Sequence, residues 1–323
     1  MDQPLVSIAL VTYMHERYIE ECLKSIIGQT YQNIELLILD DASTDDTYDI
    51  IMLYERRMRA RFSKVLILKN DHNSGNVSVN LNKILKEAKG VYFKTFAGDD
   101  AMLPTYVEEI VAFLVRRENE DAILAYTNAY IVGENFHLGD EPGRNYAYQR
   151  YKPYKEKELF EGLLIRNNIV APSVMMRRRV LEQYGYYDER IPFEDFDLWL
   201  RLAYKEKFVY LPSKLIYYRR AETSLTNYQS KNGRDKLKFM LAGGKMVVQK
   251  NLGKIPKEKR KFYQQTFFES YLRAAFHSGF WDIAVQILVF MWQRGYHVHT
   301  EVYSEMIETG KLFFLNKIKT KLV

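Results

Sequence analysis

Two hydrophobic patterns divide this chain. Over its first two thirds, short unbroken apolar runs alternate with amphipathic stretches; beyond about residue 230 only helical spacing remains. Leu5 to Thr12 is nearly continuous and β-branched, which predicts a strand buried on both faces. Tyr18 to Ile27 puts Ile19, Cys22, Leu23 and Ile26 on one helical face, with Gly28 as the stop. Ile34 to Leu39 predicts a second buried strand that ends at Asp40-Asp41. Ser43-Thr44-Asp45 then offers caps for a helix from Asp46 to about Met58. Val65 to Leu68 is a third strand, Asn73-Ser74-Gly75 a turn, and Val77 to Ala88 a helix closed by Gly90. Tyr92 to Phe96 is a fourth strand, running into Gly98-Asp99-Asp100. A helix from Pro104 to Arg117 and a fifth strand from Ile123 to Val132 follow.

Four strand–helix alternations with short connections predict an α/β fold, a mostly parallel sheet with helices on both faces. Such sheets bind ligands outside the carboxyl ends of their strands, and both acidic pairs fall there. Gly133 to Lys157 lacks a period and reads as a long surface loop able to serve as a lid. Ala171 to Met176 predicts another strand. Phe193-Glu194-Asp195-Phe196-Asp197 opens a helix over Leu198 to Tyr204, and Phe208 to Leu211 and Leu215 to Tyr218 read as edge strands. Helices are expected over Asp235 to Lys250, Lys257 to Phe276, Trp281 to Arg294 and Tyr303 to Phe314. The expected organisation is one α/β domain over 1–227 and a helical region over 228–323.

Composition narrows the class. With 323 residues, 47% of them apolar, the chain can bury a substantial core. The single cysteine, Cys22, excludes an internal disulfide and suits a reducing compartment. It reads as a core residue and not as a catalytic thiol. Met1 to Pro4 runs straight into a strand, so no secretion signal is expected. The run Ile283 to Trp292 is too short to span a bilayer. A cytoplasmic protein follows, with room for peripheral attachment to the inner face of the plasma membrane. The charge is uneven: residues 231–323 hold 17 Lys and Arg against 7 Asp and Glu, a balance of +10, while the whole chain carries +6, so residues 1–230 carry −4. Different partners for the two parts are implied.

The chemistry lies in three acidic clusters. Asp99-Asp100 suits Mg²⁺ or Mn²⁺, which bind through one or two carboxylates plus substrate phosphates; the alternative is a polar turn capping the next helix. Asp40-Asp41 can read a base or ribose, or can form an Asx turn. Glu194-Asp195, beside Phe193 and Phe196, is placed for desolvation that raises a general base's pKa, or is simply an N-terminal cap. No Gly-x-x-x-x-Gly-Lys loop and no Gly-x-Gly-x-x-Gly after the first strand occurs, which argues against a P-loop nucleotidase and a nicotinamide dehydrogenase. His297 and His299 lack a third ligand and read as surface residues, and zinc spacing is absent.

The order of the clusters, Val6-Ser7-Ile8-Ala9-Leu10-Val11-Thr12-Tyr13, Leu39-Asp40-Asp41-Ala42-Ser43-Thr44-Asp45, Gly98-Asp99-Asp100 and Glu194-Asp195-Phe196-Asp197-Leu198-Trp199-Leu200-Arg201, resembles the family 2 glycosyltransferases. The resemblance spans roughly Pro4 to Asn227. It implies the GT-A fold, an inverting transfer and a nucleoside-diphosphate sugar donor, UDP- or dTDP-linked. It implies that Tyr13, following Thr12, lies against the base and that Asp40 hydrogen-bonds it, with Asp41 alongside. Asp99 faces the ribose or sugar, Asp100 is the direct ligand of Mn²⁺ or Mg²⁺, and Asp195 is the catalytic base. Asn73, Gly75 and Asn80 fall near the donor. Several positions depart from the family's usual pattern. Ala97 stands where many relatives have Asp, and Met14 where many have Asn; an Arg near Asn80 is absent. Tyr218-Arg219-Arg220-Ala221 lacks the histidine of Tyr-Arg-x-His, so that Arg219 or Arg220 is the expected substitute at the diphosphate; the alternative is that either is a surface charge.

The tail bears on the acceptor. Lys254 to Lys261 is rich in lysine and arginine, and Phe313 to Val323 mixes apolar and basic side chains, a combination attracted to anionic lipid. A growing glycan that is lipid-linked, such as an O-antigen or capsule precursor, fits as acceptor; a solvated helical appendage or oligomer interface is the alternative, and nucleic acid is not expected. Two other functions compete. A sugar-nucleotide nucleotidyltransferase would want a Gly-rich basic loop after the first strand, where Val11 to His15 is neither. A non-catalytic carbohydrate-binding or scaffold protein would not need all three acidic clusters.

Overall fold

The computed structural model describes residues 3–140, 155, 158–165, 167–191, 194–220 and 231–308. The chain divides into two compact units: Met1–Phe160 with Asn167–Ala221, and Glu161–Arg166 with Glu222–Val323.

The first unit is built on an eight-stranded sheet. Its strands are β1 (Val6–Thr12), β2 (Ile34–Asp40), β3 (Lys64–Lys69), β4 (Tyr92–Ala97), β5 (Ala101–Met102), β6 (Leu124–Gly133), β7 (Val174–Arg177) and β8 (Phe208–Arg220). Their order is β3-β2-β1-β4-β7-β6-β8-β5. β1 lies between β2 and β4, parallel to both, and β3 continues the parallel half. β2 is buried at every position, as its unbroken apolar run requires. β7 is antiparallel to both β4 and β6, so the sheet is mixed. The helices are α1 (Ile19–Ile27), α2 (Thr47–Arg61), α3 (Val77–Leu85), α4 (Tyr106–Leu114), α5 (Leu159–Ile165), α6 (Arg179–Tyr184) and α7 (Glu194–Ala203), of which α5 runs across the division between the units. Ile19, Leu23 and Ile26 of α1 and Val107, Ile110 and Leu114 of α4 complete the core around Ile8, Leu10, Leu36 and Ile38. Cys22 is part of that core.

Local chemistry explains where the structure departs from the expected elements. The segment expected as a strand from Ala171 begins as a 3-10 turn, Ala171–Ser173, because Pro172 has no N–H for a ladder. The two expected edge strands are one strand, β8, paired along β6 with register shifts at Asn128. The shifts absorb Pro212 without breaking the strand, and the edge position falls to the short β5. The helix after β2 has Asp46 at its N-cap with no side-chain cap; Asp45 before it accepts the Thr47 N–H at 3.1 Å, while Ser43 is engaged by Asp40. Asn76 caps α3 by accepting the Ser78 N–H. Most of the loop expected over 133–157, with any lid it forms, lies outside the described residues; 134–140 is turn and coil after β6.

The second unit is helical: α8 (Gly233–Asn251), α9 (Lys257–His277), α10 (Trp281–Gln293) and a helix over 300–308. Leu237, Val248, Phe268, Leu272, Ile283 and Ile287 form its core. His299, expected at the surface, is exposed there and pairs through Nδ1 with the buried Glu269 at 2.7 Å. The apolar-basic tail from Phe313 lies outside the described residues. No described helix is long and apolar enough to cross a membrane.

Candidate active site

The carboxyl ends of β1 and β2 meet in register, Thr12 opposite Asp40. Beyond them the chain turns through two left-handed residues, Met14 (φ 56°) and Ala42 (φ 60°), a conformation that side-chain-bearing residues rarely hold outside functional loops. The Met14 N–H donates to Ser43 Oγ at 3.0 Å and ties the two loops together. This leaves the Tyr13 side chain 45% exposed, as a stacking surface requires. Thr12 is buried, with Oγ1 3.1 Å from His15 Nδ1.

Asp40 departs from its expected posture. It is fully buried, and its two oxygens accept the Ser43 hydroxyl at 2.6 Å and the Ser43 N–H at 2.9 Å. Its carboxylate is turned into its own loop and presents no oxygen to a base. Asp41 is also buried, and it accepts from Asn70 Nδ2 (2.7 Å) and from the Ser74 N–H and hydroxyl (2.9 and 2.8 Å). Burial works to raise its pKa, but these hydrogen bonds, with one from Asn80, win and hold it below the usual carboxylate range. Asn80, itself buried, closes the ring by accepting from Asn70 and donating to Ser74. Asn73 donates to the Asp41 carbonyl and accepts the Gly75 N–H at 2.7 Å, an Asx turn that needs Gly75 at φ 61°. These residues therefore shape one rigid rim.

The second acidic turn follows β4. Gly98 is required there: a Cβ would stand 2.7 Å from both His15 Nδ1 and Thr12 Oγ1. Asp100 is buried, and its Oδ1 accepts the Arg219 N–H at 2.9 Å. Burial first, and the neighbouring Asp99 second, push its pKa well up. The Asp99 carboxylate is half-buried and takes no hydrogen bond among the described residues.

Arg219 is not available to a diphosphate. Only 2% exposed, it spends Nε on the Asp99 carbonyl, Nη1 on the carbonyls of Gly133, Glu134 and Phe136, and Nη2 on Glu21 at 2.8 Å. Its guanidinium also lies 4.8 Å from the Tyr18 ring centroid. Arg219 thus braces the acidic turn from behind, while Arg220 is exposed. Lys94, in the middle of β4, is fully buried; burial lowers its pKa to about 7, against the pull of Asp100. Its Nζ donates to the Thr95 and Pro172 carbonyls, which fastens the turn before β7 to β4.

That fastened segment carries Asn167, whose side chain hydrogen-bonds Asp195 in the first turn of α7. Asp195 Oδ1 also accepts the Phe196 N–H at 2.6 Å. Burial raises the Asp195 pKa despite these bonds, and burial together with Asp195 raises Glu194 to about 8. The two neighbouring carboxyls thus hold a proton more readily than separate, solvated ones would. Asn82 anchors the approach to α7, exchanging hydrogen bonds with the backbone of Tyr187 and donating to Glu189 Oε1. Phe193 lies outside the described residues.

Several supporting groups had little signal in the sequence. Lys94 was detectable as a charge inside an apolar strand run. Glu21, Asn70, Ser74 and Asn167 were not, since each is defined by a partner distant in sequence. As for a metal, no cluster of three or more His, Cys, Asp or Glu side chains occurs among the described residues. Asp99 and Asp100 nevertheless fit a hard divalent ion that takes its remaining ligands from phosphate and water: among the described residues one carboxylate lacks a partner, and the other is buried beside it.

Comparison with known proteins accords with this geometry. The family model described as Glycosyl transferase family 2 matches residues 7–185. The uncharacterized glycosyltransferase MJ1057 of Methanocaldococcus jannaschii is 29% identical over 242 residues, covering 73% of this chain and 77% of that protein. The Escherichia coli protein WfaP, named as a UDP-Glc:alpha-D-GlcNAc-diphosphoundecaprenol beta-1,3-glucosyltransferase, is 30% identical over 206 residues, covering 62% of this chain and 71% of that protein. Among solved structures, S. aureus TarS 1-349 in complex with UDP-GlcNAc superposes with a TM-score of 0.55 at 14% identity over 91% of this chain and 93% of that one. The mannosyltransferase PcManGT from Pyrobaculum calidifontis, in complex with GDP-Man and Mn2+, gives a TM-score of 0.55 at 14% identity over 96% and 87%. These structural likenesses establish the GT-A fold.

Proposed function

The chain belongs to glycosyl transferase family 2, and on that premise we propose that this glycosyltransferase moves a sugar, with inversion, from a nucleoside-diphosphate donor to a hydroxyl of a growing glycan. The observation that carries the reading is the Asp99-Asp100 turn: a carboxylate without a hydrogen-bond partner among the described residues beside a buried one, at the carboxyl end of β4. Mn²⁺ or Mg²⁺ held by this pair would supply positive charge to the departing diphosphate. Tyr13 offers its exposed ring to the base, and the rim of Asp41, Asn73, Gly75 and Asn80 lines the same strand ends. Asp195 removes the acceptor hydroxyl proton as the new bond forms. Asn167 and the Phe196 N–H orient the Asp195 carboxylate for that transfer.

UDP is favoured over dTDP as the donor's nucleotide by the names of WfaP and of the TarS complex, and a lipid-linked acceptor by the name of WfaP. Peripheral contact with an anionic membrane through the basic C-terminal region accords with its +10 balance. Family membership disfavours the nucleotidyltransferase and scaffold alternatives.

The test is calorimetry and donor turnover with UDP-glucose, UDP-GlcNAc and dTDP-rhamnose, with and without Mn²⁺. At least one donor should bind and release its nucleotide only with the ion, and Asp100→Ala should abolish the Mn²⁺ dependence. Donor binding by a folded Asp100→Ala protein that still depends on Mn²⁺, at the wild-type level, would refute the assignment.

A further inference from the structure

We propose that the C-terminal helical unit holds a second anion site, a pocket for a phosphate ester, floored by Phe290 and flanked by Lys245 and Arg294. The pocket lies among α8, α9 and α10 and is small, about 40 Å³, room for about three water-sized groups and so for the phosphate group of an ester, not its whole body. Lys245 Nζ stands 5.2 Å from the Phe290 ring centroid, and the Arg294 guanidinium carbon 5.4 Å from the same centroid. Among the described residues neither cation has a carboxylate partner or a side-chain hydrogen bond. Two like charges gathered on one ring repel each other, and the ring's π face compensates each only modestly. A shared anion removes the repulsion.

The remaining lining specifies that anion. Gln264 accepts the Tyr296 hydroxyl at its Oε1, 3.0 Å away, which leaves its amide N–H₂ as a donor. The polar lining thus offers ammonium, guanidinium and amide donors and no carboxylate. Such a donor set recognises acceptor-only oxygens, as on phosphate or diphosphate. The aromatic floor selects an organic ester over a bare ion: Phe268 packs on Phe290 at 4.7 Å and on Tyr296 at 6.2 Å. The wall is firm, because Gly244 lets α8 approach α9 so closely that a Cβ would lie 2.7 Å from the Phe267 ring. The site is independent of the donor chemistry proposed above. Phosphate of this kind could reach it on a soluble sugar phosphate or on a lipid headgroup.

Titration of the full chain in EDTA with inorganic pyrophosphate and with glucose 1-phosphate, beside sedimentation with phosphatidylglycerol vesicles, tests the site with metal-dependent donor binding suppressed. Lys245→Ala and Arg294→Ala should each weaken binding about tenfold, the usual worth of one charge-assisted bond, and Lys245→Arg should retain it. Loss confined to the soluble phosphates identifies a soluble ester, and loss confined to the vesicles a headgroup. Unchanged binding of both probe classes by a folded double variant would overturn the proposal. If the variants do not fold, amine acetylation of the wild-type protein read by mass spectrometry decides. Pyrophosphate should shield Lys245 more than the other lysines, and equal labelling would overturn the site.

Discussion

The backbone N–H of Arg219 donates to Oδ1 of Asp100 at 2.9 Å, and the same residue's Nε donates to the Asp99 carbonyl at 3.0 Å. One residue at the end of β8 thereby fixes both carbonyl and carboxylate of the acidic turn after β4. Arg219→Met keeps the backbone bond but removes the guanidinium from Glu21 Oε2 and from the carbonyls of residues 133, 134 and 136, leaving Glu21 its contacts with His137 and the Leu138 N–H. It should cost about 3 kcal/mol, at the low end for breaking a buried ion pair because Glu21 is partly exposed. Urea denaturation will measure it; a loss under about 1 kcal/mol would mean that the guanidinium does not brace the acidic turn.

Asp195→Asn preserves shape and removes the base. Turnover should fall by about 10²–10⁴-fold, the usual contribution of general-base catalysis, with donor affinity unchanged. Steady-state rates beside donor titration separate the two. Because burial raises the Asp195 pKa above that of an ordinary aspartate, the acid limb of the wild-type rate profile should also lie above the usual aspartate range.

Glu194 links the same helix start to stability. Its folded pKa, about 8, exceeds the ordinary glutamate value of 4.5, so between those values the folded form binds the extra proton. Stability through this group is therefore highest below about pH 4.5 and is lost as pH rises through 8. Glu194→Gln should remove that decline. The difference between wild-type and variant melting temperatures, followed from pH 5 to 9, should change in the variant's favour as pH rises; a constant difference would contradict the shift.

Gly98→Ala tests the contact between the acidic turn and the β1 loop. Its Cβ would stand 2.7 Å from Thr12 Oγ1 and His15 Nδ1, so the turn must move. Overpacking of this sort costs about 1–3 kcal/mol, and Mn²⁺-dependent donor binding should weaken alongside. Calorimetry on a folded Gly98→Ala protein with wild-type affinity would show that the loops give way without moving the carboxylates.

The α/β framework was legible in the sequence because its signals are local. Unbroken β-branched runs can only be strands buried on both faces, and their carboxyl ends place Asp40-Asp41 and Asp99-Asp100 on one rim. Helical spacing likewise marked α1 and the C-terminal helices. The short β5, α5 and α6 escaped notice because two to seven residues carry too little period to read.

What tertiary structure alone decided is the use of each polar group. Asp40 and Asp99 look alike in sequence, each opening an acidic pair after a buried strand, yet Asp40 is spent on Ser43 and Asp99 keeps its carboxylate without a partner among the described residues. Arg219 reads as a candidate phosphate ligand, but Glu21, 198 residues earlier, and three carbonyls of the turn after β6 consume its guanidinium. A hydrogen bond's direction is settled by whichever partner lies within about 3 Å after folding. Chain order carries the period of an element, and only packing brings those partners together.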